Sequence, residues 1–130
     1  MSAPNNPRRA NSTRRNAARK AVAAMRRPCW ICGLGIDYSL PARLPGSYEA
    51  DELVPVSRGG SPFDPDNIAP AHRCCNGWRG NKSVAEVEAV RAEAARLCRW
   101  SAPEEFVAAA RTVSKARRRI SAAPITSTDW

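Results

Sequence analysis

Cys29-Trp30-Ile31-Cys32 and, further along, His72-Arg73-Cys74-Cys75 are the two stretches that decide how this chain folds. Two intervening residues let both cysteines of the first stretch point from one tight turn at a single tetrahedral Zn²⁺. His72 and Cys75 repeat that spacing and complete a Cys3His set. The C-x2-C spacing also occurs in redox-active dithiols, and the second knuckle is what favours a structural zinc site. Cys74 leaves alternatives open: the second knuckle can offer Cys74 or Cys75, or both with His72 released. Adjacent residues do not easily turn both side chains onto one small ion, so Cys75 is the expected ligand and Cys74 a spare thiol. Cys98, near one end of a predicted helix, is expected to be a small core residue.

Outward from the knuckles the composition divides the chain. The 130 residues carry a net charge of +9, and residues 1–28 contain eight bases and no acid. Such an N terminus attracts polyanions, of which nucleic acid is the commonest for a soluble chain. Arg- and Ser-containing, acid-free ends also describe organellar transit peptides. No apolar run is long enough for a signal peptide or a membrane span, so no membrane partner and a cytoplasmic location are expected. In a reducing compartment spaced cysteines more often bind metal than form disulfides.

The expected organisation is a disordered basic tail over 1–12, a basic helical arm over 13–28, a metal-bearing core over 29–82, helices over 83–119 and a flexible tail over 120–130. Ser12 or Thr13 can cap the arm helix, which Ala17, Ala18, Ala21, Ala23 and Ala24 favour and Pro28 ends. The core segment holds most of the Gly, Pro, Trp and Cys and has little helical periodicity, as expected for short strands and knuckles. Ser83 with Glu86 makes a capping box ahead of Val84, Val87, Val90, Ala94 and Leu97. Ser101 with Glu104 makes another, ahead of Phe106, Val107, Ala110 and Val113.

Between the knuckles runs Tyr48-Glu49-Ala50-Asp51-Glu52-Leu53-Val54-Pro55-Val56-Ser57-Arg58-Gly59-Gly60, followed by Asp66-Asn67-Ile68; after Cys75 come Asn76 and Arg79-Gly80-Asn81-Lys82. With the knuckles, these segments resemble the HNH endonucleases, especially the small Cys-bearing ones of phages and bacteria. The resemblance spans residues 29–82 and several short motifs in the family's order. It implies an α+β fold with a treble-clef-like ββα-metal core, in which a hairpin and one helix grip a divalent cation. It further implies that Asp51 and Asn76 hold that cation and that Asn67 buttresses the loop carrying the base. Asn76 in place of the last histidine is a known variant of the pattern.

Those residue types suit phosphodiester hydrolysis. Mg²⁺ or another divalent cation held by hard oxygens of a carboxylate and an amide neutralises the attacked phosphate and stabilises the leaving oxygen. Arg79 and Lys82, with Arg14, Arg15, Arg19 and Lys20 of the arm, are the expected contacts to double-stranded DNA. Taken singly, Asp51 and Glu52 are ordinary surface acids, Asn67 a turn former beside Asp66 and Asn76 a helix-start residue. Position 52 departs from the family, which usually has histidine there as general base. Glu52 replaces it, and if His72, the only histidine, binds zinc, none remains for catalysis. A carboxylate is a weaker base than imidazole. The expected function is therefore a metal-dependent DNA endonuclease, against a catalytically weakened zinc-bound DNA-binding module. A third reading is an accessory partner of a packaging machine such as a phage terminase subunit, since small phage members of the family are associated with genome packaging.

Overall fold

The computed structural model describes residues 7–122. They form an α+β arrangement of four helices and one two-stranded sheet: α1 (Pro7–Ala24), β1 (Tyr48–Glu52), β2 (Ile68–His72), α2 (Arg73–Arg79), α3 (Val84–Leu97) and α4 (Pro103–Ala122).

The basic N-terminal segment differs from expectation at both of its ends. Its helix begins at Pro7, a residue whose missing N–H costs nothing in a first turn, so residues 7–12 are helical rather than disordered. Residues 1–6 lie outside the described residues. The helix stops at Ala24, short of Pro28, because Arg26 turns into the left-handed region at φ 53°. Nor is α1 a detached arm. Ala18 and Val22, one turn apart, are buried against Ile68, with Tyr48 and Ala50 packed beside them. The Tyr48 hydroxyl donates to the Arg19 carbonyl at 2.8 Å.

β1 and β2 pair antiparallel, with Tyr48 opposite His72 and Glu52 opposite Ile68. Strand side chains alternate faces, so β1 sorts its residues into two sets. Tyr48 and Ala50 meet α1, and Glu52 shares their face. Glu49 and Asp51 face α2, where they meet Asn76 and Arg79. Pro70 is tolerated inside β2 because its carbonyl accepts the Trp30 N–H at 3.0 Å on the edge away from β1. A residue's N and O leave a strand on the same side, so the missing donor falls on that edge as well.

The larger core gathers the first knuckle, α2, α3 and α4. Phe106, fully buried, receives the edges of Trp78 and Trp100 at ring-centroid distances of 5.5 and 5.0 Å. Val87, Val90 and Ala94 of α3 meet Val107, Ala110 and Val113 of α4 in the same cluster. The start of α3 is as its capping box implies, with Ser83 Oγ accepting the Glu86 N–H at 3.1 Å. Leu97 leaves the apolar stripe and is 70% exposed in the last turn of α3. Cys98 just beyond it is exposed too, not a core residue.

The start of α4 is displaced from its expected box. Ser101 bonds to Glu105, not Glu104, because Pro103 takes the first helical position and puts Glu105 at the third. The helix also runs on to Ala122, through part of the expected tail, since the sequence offers no breaker before Pro124. Residues 123–130 lie outside the described residues. Among the described residues no helix is long and apolar enough to cross a membrane.

Candidate functional site

Cys29 and Cys32 come from the tight turn before β1, His72 from the end of β2 and Cys75 from the first turn of α2. All four are buried, and their ligand atoms lie within 4.8 Å of one another. Three sulfurs and one imidazole nitrogen at that spacing could hold a metal such as zinc. His72 turns Nδ1 to the sulfurs, 3.3 Å from Cys32 Sγ and 3.9 Å from Cys75 Sγ. Its Nε2 lies 2.9 Å from the Gly35 carbonyl, which can only accept, so a proton sits on Nε2 and Nδ1 is the ring atom available to a cation.

Without a cation the four groups share their protons unequally. Hydrogen bonds from Cys32 and Cys75 hold the Cys29 thiol far below its ordinary value. Bonds to Cys29 and Cys32, with burial, push Cys75 far up. Burial opposes charge on His72, yet the sulfurs of Cys29 and Cys32 prevail and push it up to about 10. A dication would satisfy all four donors at once and remove that unequal sharing of protons. Cys74, one position along α2, is half-buried and points elsewhere, into a groove with Trp78 and Val107. The walls of the first knuckle are tied to α3 and to the link that follows it: Arg91 donates to the Trp30 carbonyl at 2.6 Å and Trp100 to the Cys32 carbonyl at 2.9 Å.

Against this cluster lies the face between β1 and α2. Asn76 Nδ2 donates to Glu49 Oε1 at 2.9 Å, and Arg79 Nη1 donates to Asp51 Oδ2 at 2.8 Å. Trp30 Nε1 donates to the same Asp51 oxygen at 2.9 Å. Burial raises the Asp51 carboxyl above its ordinary value, outweighing the bonds from Arg79 and Trp30 that lower it. Glu49 and Asp51 thus share one face of β1 and reach Asn76 and Arg79 of α2 in turn.

Arg79 is where the expectation of a DNA contact fails. It is 2% exposed, and its guanidinium is used up on the protein itself. Besides Asp51 it donates to the carbonyls of Glu52 and Leu53, both at 2.7 Å, and to that of Lys82 at 3.0 Å. The reason is positional. Arg79 ends α2 directly over the end of β1, where carbonyls leaving the sheet need donors, and only a planar group with five N–H bonds serves so many. Lys82 is half-buried, donating to the Trp78 carbonyl at 2.9 Å and lying 4.8 Å over the Trp78 ring.

Asn67 organises the loop between the strands. Its side chain accepts the Val54 N–H and donates to the carbonyls of Val54 and Ser61, all at 2.9 Å. The backbone adds Leu53 N–H to Asn67 carbonyl at 2.8 Å. Gly60 makes this clasp possible, since a Cβ there would stand 1.7 Å from the Val54 carbonyl oxygen.

Glu52 stands on the other face of β1 from Asp51. Its carboxylate accepts the Val56 N–H at 3.2 Å and borders a cavity of about 200 Å³ with Arg15 and Arg19 of α1. Arg14 lies 3.9 Å over the Phe63 ring, and Lys20 is exposed. Two participants escaped the sequence reading. Glu49 is one, though its period-two spacing from Asp51 was the available signal. Trp30, inside the first knuckle, is the other.

No family model, curated protein or solved structure matches the chain.

Proposed function

We propose that the chain is a divalent-cation-dependent endonuclease of the HNH type acting on double-stranded DNA, with β1, β2 and α2 as its ββα-metal core. The observation that carries this reading is the β1–α2 face, where Asp51 and Glu49, the partner of Asn76, stand two residues apart on β1 and meet α2, whose first turn supplies Cys75 of the buried Cys3His cluster. Asp51 Oδ2 is engaged by Arg79 and Trp30, while Oδ1 takes no hydrogen bond among the described residues. Glu49 orients the Asn76 amide by accepting from Nδ2, which turns Asn76 Oδ1 away from Glu49. These two oxygens would hold Mg²⁺ or another divalent cation, which when bound neutralises the attacked phosphate and the leaving oxygen. Zinc in the Cys3His cluster ties β2 and α2 to the first knuckle and so fixes the strand and helix that present them.

Glu52 takes the proton of the attacking water. The Val56 N–H holds its carboxylate at the loop rim, and Asn67 holds the loop. Arg15 and Arg19 across the cavity offset the negative charge that Glu52 brings close to a phosphate. One observation favours the second reading, a weakened DNA-binding module or an accessory partner of a phage packaging machine: Glu52 and Asp51 leave β1 on opposite faces.

Relaxation of supercoiled plasmid with Mg²⁺ or Mn²⁺ separates the two. Wild-type protein should nick, and Glu52→Gln should slow nicking by roughly two to four orders of magnitude while binding DNA equally well. Glu52→His should retain activity with a new pH dependence near the imidazole pKa. Cutting by Glu52→His alone, with an inert wild type, establishes the binding module.

A further inference from the structure

A groove of about 600 Å³ lies between α2, α4 and the loop that precedes β1. Cys74, Gly77 and Trp78 border it as one stripe of α2, and Glu104, Val107, Ala108 and Arg111 as one stripe of α4, each spaced as neighbours on a helix surface. With about 100° between successive residues, Asn76 and Arg79 leave α2 on the opposite side, toward β1. The groove is therefore apart from the face proposed for cleavage. Its charge is one-sided: Arg43, Arg73 and Arg111 line it against a single acid, Glu104. Arg73 lies 4.0 Å from Glu49, whereas the guanidinium groups of Arg43 and Arg111 have no hydrogen-bond or ion-pair partner among the described residues.

Arg43 is also held in place by its backbone. Its φ of 76° lies in the left-handed region, uncommon for a residue with a side chain. The buried Ser47 fixes that turn, its hydroxyl accepting the Leu44 N–H at 3.0 Å and donating to the Pro41 carbonyl. The Cys74 N–H donates to the Pro45 carbonyl at 2.9 Å and the Arg73 N–H to the Ser47 carbonyl at 2.8 Å, which fastens the turn to α2. The backbone that carries Arg43 to the groove is thus set before any ligand arrives, and a preset contact loses less freedom on binding.

We propose that this groove docks an acidic segment of a partner protein, with carboxylates on the guanidinium groups and an apolar side chain against Trp78 and Val107. Guanidinium groups pair with carboxylates through two parallel hydrogen bonds, and the excess of three cations over one acid supplies the charge complementarity. A small anion leaves the apolar lining unused. DNA fits less well, since Glu104 repels phosphate and a duplex on the β1–α2 face meets the other side of α2. The assignment stands independently of the chemistry at the hairpin, because it uses neither Asp51, Glu52 nor Asn76.

The probe is a fluorescent peptide with two glutamates on each side of a leucine pair, added to the full-length protein. Anisotropy reads its affinity and backbone amide NMR shifts its place. The peptide should bind and move amides of residues 43–47, 74–78 and 107–111, and a version with glutamines for glutamates should bind about tenfold more weakly. Arg43→Gly is the safest variant, because glycine accepts a φ of 76° without strain and only the guanidinium is lost. It should melt at or above the wild-type temperature and bind the peptide several-fold more weakly. Arg111→Glu should weaken binding about tenfold or more, and Glu104→Gln should tighten it. Equal affinity for the two peptides, equal affinity of wild type and both arginine variants, or no shift at the groove overturns the proposal. So does a short DNA duplex that moves the groove amides through the same arginines, which assigns the groove to nucleic acid instead.

Discussion

Replacing Arg79 with methionine keeps most of the apolar stem and removes the guanidinium clasp. The loss strands Asp51 with Trp30 as its remaining partner and leaves the carbonyls of Glu52, Leu53 and Lys82 without their donor. Breaking a buried ion pair from one side costs roughly 3–5 kcal/mol. For a chain of this size that lowers the melting temperature by about 10–20 °C. The effect depends on pH with a definite sign. Asp51 already titrates above its ordinary value, and losing Arg79 raises it further. A carboxyl raised in the folded state stabilises below its unfolded pKa and loses that contribution as pH rises through the folded one. The gap between variant and wild type should therefore narrow as pH falls below neutrality, where a neutral Asp51 no longer needs a counter-charge. The double variant Arg79→Met/Asp51→Leu should recover part of the loss, since exchanging a whole buried pair for apolar groups is far milder than breaking it. Calorimetry across pH measures all three proteins. An Arg79→Met variant melting within about 2 °C of wild type would refute the clasp and return Arg79 to the role of an accessible DNA contact.

Purified protein should hold about one zinc per chain, lost with the fold in Cys75→Ser and kept in Cys74→Ser; metal analysis with circular dichroism reads both. Acidification should release the metal, because its thiol ligands bind only when deprotonated, and a pH-independent zinc content would count against them. Gly60→Ala puts a Cβ 1.7 Å from the Val54 carbonyl oxygen and should cost about 2–4 kcal/mol by urea titration, whereas an unchanged midpoint would show that the loop gives way. The double variant Arg15→Gln/Arg19→Gln should fold normally, since both residues are exposed, and should flatten the salt dependence of DNA binding by about 2 in log–log slope. An identical slope removes the outer face of α1 from the DNA path.

What the sequence disclosed is what depends on neighbours along the chain. Ligand spacing within a turn marks Cys29, Cys32, His72 and Cys75, and the Ser83–Glu86 capping box marks the start of α3. Cys75 rather than Cys74 faces the cluster because successive residues of α2 point about 100° apart, so one turns inward and the other toward a groove. What stayed hidden depends on how β1 meets α2. Arg79 sits three residues before Lys82 and reads as one of a pair of phosphate contacts until α2 is laid over the end of β1. Glu49 reads as a surface acid until the register sets it beside Asn76. In α1 the bases drew attention to the charge, while the spacing of Ala18 and Val22 already held the signal for docking on the sheet. Ser101 could pair with either of two adjacent glutamates, and only the place of Pro103 decides between them.

The proposed role of Asp51, carrying a cation for phosphodiester cleavage, is tested by Asp51→Asn. Asparagine keeps an acceptor for Arg79 and Trp30, so the fold should survive while the negative charge that binds a hard cation is lost. Plasmid nicking by wild type and Asp51→Asn, titrated with Mn²⁺ and checked for equal DNA binding and a folded circular dichroism spectrum, is the measurement. Wild type should nick in a Mn²⁺-dependent manner, and the folded, DNA-binding variant should show no nicking above background. Nicking by Asp51→Asn at the wild-type rate and the same Mn²⁺ midpoint would contradict that role.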